Sequence, residues 1–215
     1  EKGGKWERAV ELLEEMRERG LKPNMISCSA AMSACGMGGK WERALELLEE
    51  MRERGLKPSL MGFDAAISAC EKGVKCERAL ELLEEMRERG LKPDVISFSA
   101  AMSACEKGGK WQRAVELLEE MRERGLKADV ISCSAGISAC EKGGRWGRAL
   151  ELLEEMRERS LKPDVISCSA AISACEKGVE WERAVELLEE MRERGLKPSL
   201  MGFNAAISAC EKGVK

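Results

Sequence analysis

Small and apolar residues fall on helical faces throughout the chain, and the stretch 165–199 shows the pattern whole. Over 166–177, Cys168, Ala171, Ile172 and Cys175 stand at i, i+3, i+4 and i+7, one face of an α-helix. Their small size lets a neighbouring helix approach closely. The opposite stripe, Ile166, Ser169 and Ser173, is almost uncharged, which is unusual for a surface facing water. Gly178 and Val179 break this helix, as Gly108-Gly109 and Gly143-Gly144 do elsewhere. A second helix is predicted over 180–194, with Trp181, Ala184, Val185, Leu188 and Met191 on its apolar face and Leu187 widening it. Glu and Arg cover the rest as a solvated face, and Glu190 and Arg194 stand four apart in the favourable order. Gly195 suits a left-handed helix end, with Ser160 the exception at this position, and Lys197-Pro198 turns into the next unit.

This unit repeats. Trp6, Trp41, Trp111, Trp146 and Trp181 keep a 35-residue step or a multiple of it, with Cys76 in the skipped slot. Met16, Met51, Met86, Met121, Met156 and Met191 keep the same step, as do Cys35, Cys70, Cys105, Cys140, Cys175 and Cys210. Such a period means an array of helical hairpins stacked on one another, since neither helix alone has enough apolar surface to be stable. The expected fold is all-α, a right-handed α-solenoid of 35-residue helix-turn-helix repeats, with first helices lining one surface and charged second helices forming the outer layer. The 215 residues then divide into a partial unit 1–24, complete units 25–59, 60–94, 95–129, 130–164 and 165–199, and a partial unit 200–215. Glu1 and Lys215 fall near the same point of the repeat, so a piece of a longer array is expected, with any targeting segment upstream.

Composition narrows the chemistry. Hydrophobic residues make 44% of the chain and charged residues 35%, a balance that folds. No apolar run is long enough for membrane insertion. The ten cysteines look like core residues: six share one repeat position, and Cys28, Cys133 and Cys168 share another that Phe63, Phe98 and Phe203 fill elsewhere. Unpaired buried thiols imply a reducing compartment. With no His and no C-x-x-C pair, no metal site and no cofactor is expected. The same lack of a general base argues against an enzyme.

Other helical repeats fail on residues. The tetratricopeptide unit needs a W-x-x-L-G-x-x-Y run in its first helix, whereas here Trp opens the second and there is no Tyr; ankyrin's T-P-L-H is also missing. The 35-residue length, the run Ala184-Val185-Glu186-Leu187-Leu188-Glu189-Glu190-Met191, the ending Gly195-Leu196-Lys197-Pro198 and the opening Val95-Ile96-Ser97-Phe98-Ser99 resemble the pentatricopeptide repeat pattern over essentially the whole chain.

That resemblance implies a single-stranded RNA binder of plastids or mitochondria in which each repeat addresses one base. The second residue of each unit would wedge against a base: Ile26, Met61, Ile96, Ile131, Ile166 and Met201. The fifth residue and the last would read its edge: Ser29 with Ser59, Asp64 with Asp94, Ser99 with Asp129, Ser134 with Asp164, Ser169 with Ser199, and Asn204 without a partner. A small hydroxyl with Asp is a family combination that favours guanine, whose N1–H and N2–H a carboxylate can accept. Ser-Ser and Asp-Asp fall outside the common pairs. Lys72, Lys107, Lys142, Lys177 and Lys212 would meet backbone phosphates, with Met37 in place of the lysine and Gly36 in place of the usual Glu in the first complete unit.

Each assignment has a plainer reading. Asn24, Ser59, Asp94, Asp129, Asp164 and Ser199 precede helices and are preferred N-caps. The serines at position five can be small surface residues, and the lysines can answer helix dipoles. Lys and Arg total 36 against 39 acids, which disfavours tight nonspecific RNA binding unless charge is segregated. An extended peptide would suit the neutral stripe as well. The alternative to RNA reading is a solenoid scaffold whose partners are protein subunits of an organellar assembly. A consensus-like engineered array is a third possibility, which the irregularities Cys76, Ala128, Gly147 and Ser160 argue against.

Overall fold

The computed structural model describes residues 4–213; the outermost residues of the two partial repeats, 1–3 and 214–215, lie outside it. All regular structure among the described residues is helical, and it divides into two compact units, the first ending at Gly108 and the second beginning at Gly109. The first contains α1 (Gly4–Glu18), α2 (Met25–Met37), α3 (Trp41–Glu53), α4 (Leu60–Lys72), α5 (Cys76–Glu88) and α6 (Val95–Lys107). The second contains α7 (Trp111–Glu123), α8 (Val130–Lys142), α9 (Trp146–Glu158), α10 (Val165–Gly178), α11 (Trp181–Glu193) and α12 (Leu200–Gly213).

Within each unit the first helices of successive repeats pack on one another, α2 on α4 on α6 and α8 on α10 on α12; α3, α5, α9 and α11 each wedge between two of them, while α1 packs on α2 and α7 on α8. The cores match the sequence pattern. In α4 and α5, Ala66, Ala69 and Cys70 meet Ala79, Leu82, Leu83 and Met86, all sealed from solvent. The cysteine positions are packing positions: none of the ten thiols is in a disulfide, and all but Cys210 are buried. Burial pushes Cys70, Cys140 and Cys175 up to about 11, so these thiols stay protonated and unreactive. Gly36, the residue that replaces the usual Glu, marks a close approach: a Cβ there would lie 3.0 Å from the Ala69 Cα on α4.

Helix ends follow the sequence with instructive exceptions. Second helices close with a left-handed residue such as Gly55 or Gly195, the amide of the following Leu bonding back to the Met carbonyl five residues earlier (Leu56 to Met51, 2.9 Å). Ser160 holds that conformation at φ 59. First helices use a glycine followed by a left-handed residue, and Val74 and Val179 occupy the latter position at φ 57 and 62, strained for a β-branched side chain.

Two expectations need correction here. The Glu and Arg of the second helices are not simply solvated. Arg17, Arg52 and Arg122 are mostly covered and reach Glu50, Glu85 and Glu155 on the second helix one repeat on, at 2.7, 2.6 and 2.5 Å, and Arg157 does the same to Glu190. The guanidiniums of Arg52, Arg87 and Arg192 also stand 5.4–5.8 Å over the rings of Phe63, Phe98 and Phe203. Nor does Trp sit deep in the apolar face. Trp146 and Trp181 are more than a third exposed, and the indoles pack against glycines closing the next first helix: Trp6 on Gly38, Trp41 on Gly73, Trp111 on Gly143, Trp146 on Gly178, Trp181 on Gly213. The cause is geometric: the first residue of each second helix lies at the rim of the stack.

Candidate nucleic-acid interface

The wedges of each unit project from the start of the first helices. Ile26, Met61 and Ile96 in the first unit, and Ile131, Ile166 and Met201 in the second, are 59–69% exposed. Six large apolar side chains held in water at one repeat position have no packing explanation within either unit, whereas the residue two further along is packed.

The fifth-position serines are not surface residues, contrary to the plainer reading. Ser29, Ser99, Ser134 and Ser169 are at most 9% exposed, and Ser173 of the neutral stripe is equally covered. The stripe is therefore a row of exposed Ile or Met beside sunken hydroxyls, because the next first helix packs over the serine side of the turn. Within single units the structure brings together two of the predicted pairs directly and a third through a bridging serine. Ser134 Oγ donates to Asp164 Oδ1 at 3.5 Å, and Ser169 Oγ stands 3.3 Å from Ser199 Oγ. Asp64 and Asp94 are joined through Ser97, whose hydroxyl lies 2.6 Å from Asp64 Oδ1 and 3.3 Å from Asp94 Oδ1. The buried Ser29 hydroxyl makes no hydrogen bond to Ser59 or to any other group among the described residues. Asn204 is exposed on α12. Ser99 and Asp129 belong to different units: Ser99 is buried on α6 and Asp129 begins α8.

Capping is also real. Asn24, Asp94, Asp129 and Asp164 each accept the backbone N–H of the serine three residues on, at 2.8–3.1 Å, and that serine answers the cap backbone. Ser27, Ser97, Ser132 and Ser167 were the unread half of this box; serine three residues after Asn or Asp, just ahead of an apolar face, was the signal. Ser199 caps α12 through the Gly202 amide at 3.2 Å, while Ser59 makes no such side-chain bond. The aspartates spend their Oδ1 on these bonds, and a carboxylate has a second oxygen.

The lysines end the first helices as expected, but three are engaged with acids from the preceding repeat: Lys107 with Glu71, Lys177 with Glu141, Lys212 with Glu176. Lys72 stands 3.4 Å from Glu71, its own neighbour. Lys142 is exposed at the corresponding place on α8. An open groove on the second unit is lined by Glu141, Ser173, Glu176, Met201, Asn204 and Ser208, joining a wedge, an edge position and two of these acids. No cluster of metal-binding side chains occurs among the described residues, and none of their helices is long and apolar enough to cross a membrane.

The family profile described as a pentatricopeptide repeat domain matches residues 3–39, 11–73, 46–108, 116–178 and 151–212, and a second, described as a PPR repeat, matches 96–126. The chain belongs to the pentatricopeptide repeat family. Its structure is similar to that of the pentatricopeptide repeat protein PPR10 from maize, with a TM-score of 0.70, 25% identity and 96% of this chain covered. It is similar to PPR10 in complex with an 18-nt psaJ RNA element, with a TM-score of 0.73, 25% identity and 98% covered. The chain spans only 30% of the length of the PPR10 chains. The PPR domain of Arabidopsis thaliana protein-only RNase P 1, in complex with tRNA, shares the fold at a TM-score of 0.72 and 15% identity, with 84% of this chain and 95% of that one aligned. Among curated proteins no sequence matches it.

Proposed function

We propose that this chain binds single-stranded RNA one base per repeat, without catalysis, in plastids or mitochondria. A base stacks against the exposed Ile or Met wedges, and its edge meets the polar pair between them. The observation that carries this reading is the pairing of an exposed wedge, Ile131, with a sunken Ser134–Asp164 contact formed across 30 residues of sequence. Asp164 uses Oδ1 to cap α10, and its other oxygen accepts from a guanine edge, so capping and reading coexist. Asp129 caps α8 through Oδ1 in the same way and keeps its second oxygen for a base edge. The free Ser29 hydroxyl is a donor and acceptor in search of a partner, which a base edge supplies. The lysines hold the phosphates between bases.

Selection from a random RNA pool is expected to enrich two adjacent guanines, and Asp129→Asn together with Asp164→Asn to move the preference toward adenine. Binding with base choice unchanged in the double variant would remove the reading code. Co-purification with a defined protein complex that survives ribonuclease, without RNA binding by the isolated chain, would make the array a scaffold instead.

A further inference from the structure

Each phosphate-facing lysine that the structure pairs across repeats reaches a glutamate on the first helix one repeat back. The Nζ of Lys107 on α6 lies 2.6 Å from Glu71 Oε1 on α4. That of Lys177 on α10 lies 2.6 Å from Glu141 Oε1 on α8 and also donates to the Glu141 carbonyl at 2.9 Å. That of Lys212 on α12 lies 2.9 Å from Glu176 Oε1 on α10. In every pair the acid is the fixed member: the glutamate side chains are 15–25% exposed and the lysines 36–48%. Glu176 is additionally held by the Ser208 hydroxyl at 2.7 Å. Hydrogen bonds from Lys212 and Ser208 keep its carboxyl below the usual carboxylate range, so it stays ionised at neutral pH.

These acids stand in the way of RNA. Glu141 and Glu176 line the same open groove as the wedge Met201 and the edge position Asn204. A phosphate arriving there meets an anchored carboxylate already holding the cation it needs.

We propose that Glu71, Glu141 and Glu176 are affinity-setting residues that compete with the RNA backbone for the lysine of the following repeat. The inference rests on the RNA reading above. Phosphate binding becomes an exchange of one anion for another, and the displaced carboxylate is left facing the strand. The electrostatic gain common to all polyanions is thereby reduced, and base contacts decide which strand stays. This suits a chain with a net charge of −3 better than a set of unopposed lysines would. One repeat departs from the rule. Gly36 and Met37 replace both members of the pair, so Lys72 has no glutamate one repeat back. Its nearest paired acid is Glu71, which Lys107 holds more closely. Lys72 is the least restrained of these cations and the first to meet phosphate.

The test is fluorescence anisotropy with a labelled single-stranded RNA carrying two adjacent guanines, read across a salt series. Glu71→Gln, Glu141→Gln and Glu176→Gln combined should bind about tenfold more tightly, three exposed ion pairs having been relieved. The log–log salt slope should steepen by about 0.7 for each lysine released. Adding Lys107→Gln, Lys177→Gln and Lys212→Gln should cancel the gain, whereas the same lysine changes in the unaltered chain, which leave the three carboxylates unopposed, should weaken binding. Unchanged affinity and slope in the folded triple variant overturn the proposal and leave RNA reading intact. No binding by any variant overturns both. Should the triple variant lose its helical circular dichroism, Glu176→Gln alone gives the reading. It should tighten binding about twofold, an effect abolished by Lys212→Gln, and a gain that survives loss of Lys212 overturns the proposal.

Discussion

Asp64 is the one carboxylate at a fifth position, where the other repeats carry Ser or Asn, and its surroundings suit it poorly. Burial pushes the group up to about 6; Asp94 adds to the rise and the Ser97 hydroxyl opposes it. Ser97 has one proton to share between two carboxylates, so protonating Asp64 relieves the crowding. Because the folded pKa lies above the ordinary value, the native state holds this proton more tightly than the unfolded chain does. The contribution is fully present below the ordinary carboxylate range and is lost as pH rises through about 6. Asp64→Asn should therefore raise the urea midpoint at pH 7.5 relative to the unaltered chain and lose that advantage near pH 4. An advantage independent of pH would place the effect elsewhere than in the charge. Glu50 and Glu176, both lowered, act in the opposite sense, so only the difference between the two proteins isolates Asp64. The sequence marked Asp64 and Asp94 as an unusual pair, but the reason is the buried hydroxyl of Ser97, which spacing along the chain does not reveal.

Helices were legible nearly to the residue: 166–177 was read for α10, which spans Val165–Gly178, and 180–194 for α11, which spans Trp181–Glu193. Periodic small residues and glycine ends suffice for that, because both are properties of a single turn. What joins elements was harder to read. The glycine ending a first helix was taken as a helix breaker, yet its lack of a side chain matters more for the indole lying on it. Gly143 has an ordinary helical φ of −78, so alanine is conformationally acceptable, but a Cβ would overlap the Trp111 ring and meet its Cβ at 3.0 Å. Gly143→Ala should destabilise by about 1–3 kcal/mol in denaturant titration. Gly147→Ala on α9 meets no atom and should stabilise by about 0.5 kcal/mol. Equal effects at the two sites would mean that the indole contact contributes nothing. The ion pairs were hidden for a related reason. Glu71 to Lys107 is 36 residues, one repeat plus one, and Arg17 to Glu50 is 33, one repeat less two. Both offsets fall within one helical turn of the period, so comparing opposite charges about one repeat apart points to both ladders.

At the scale of the whole molecule, a repeat array has no single centre, and each element is as stable as the neighbours that cover it. Ile67, Ile137 and Ile172 are completely buried on α4, α8 and α10, whereas Ile207 at the same position on α12 is 66% exposed. Leu47, Leu82, Leu152 and Leu187 are no more than 1% exposed on their second helices, whereas Leu12 on α1 is 47% exposed. These contrasts arise from identical or closely similar residues, so they isolate the effect of a missing neighbour from that of composition. Local opening of α1 and α12 should therefore cost less than opening α4 or α10. Amide hydrogen exchange on the 215-residue chain should show α1 and α12 exchanging fastest among the helices, with protection rising inward through α3 and α11. Uniform protection from α1 to α12 would instead mean that the chain opens as one cooperative body. The proposed RNA contacts give this gradient a consequence. Met201 and Asn204 lie on α12, so bound RNA should slow exchange there more than at Ile131 on α8, where packing already supplies the order.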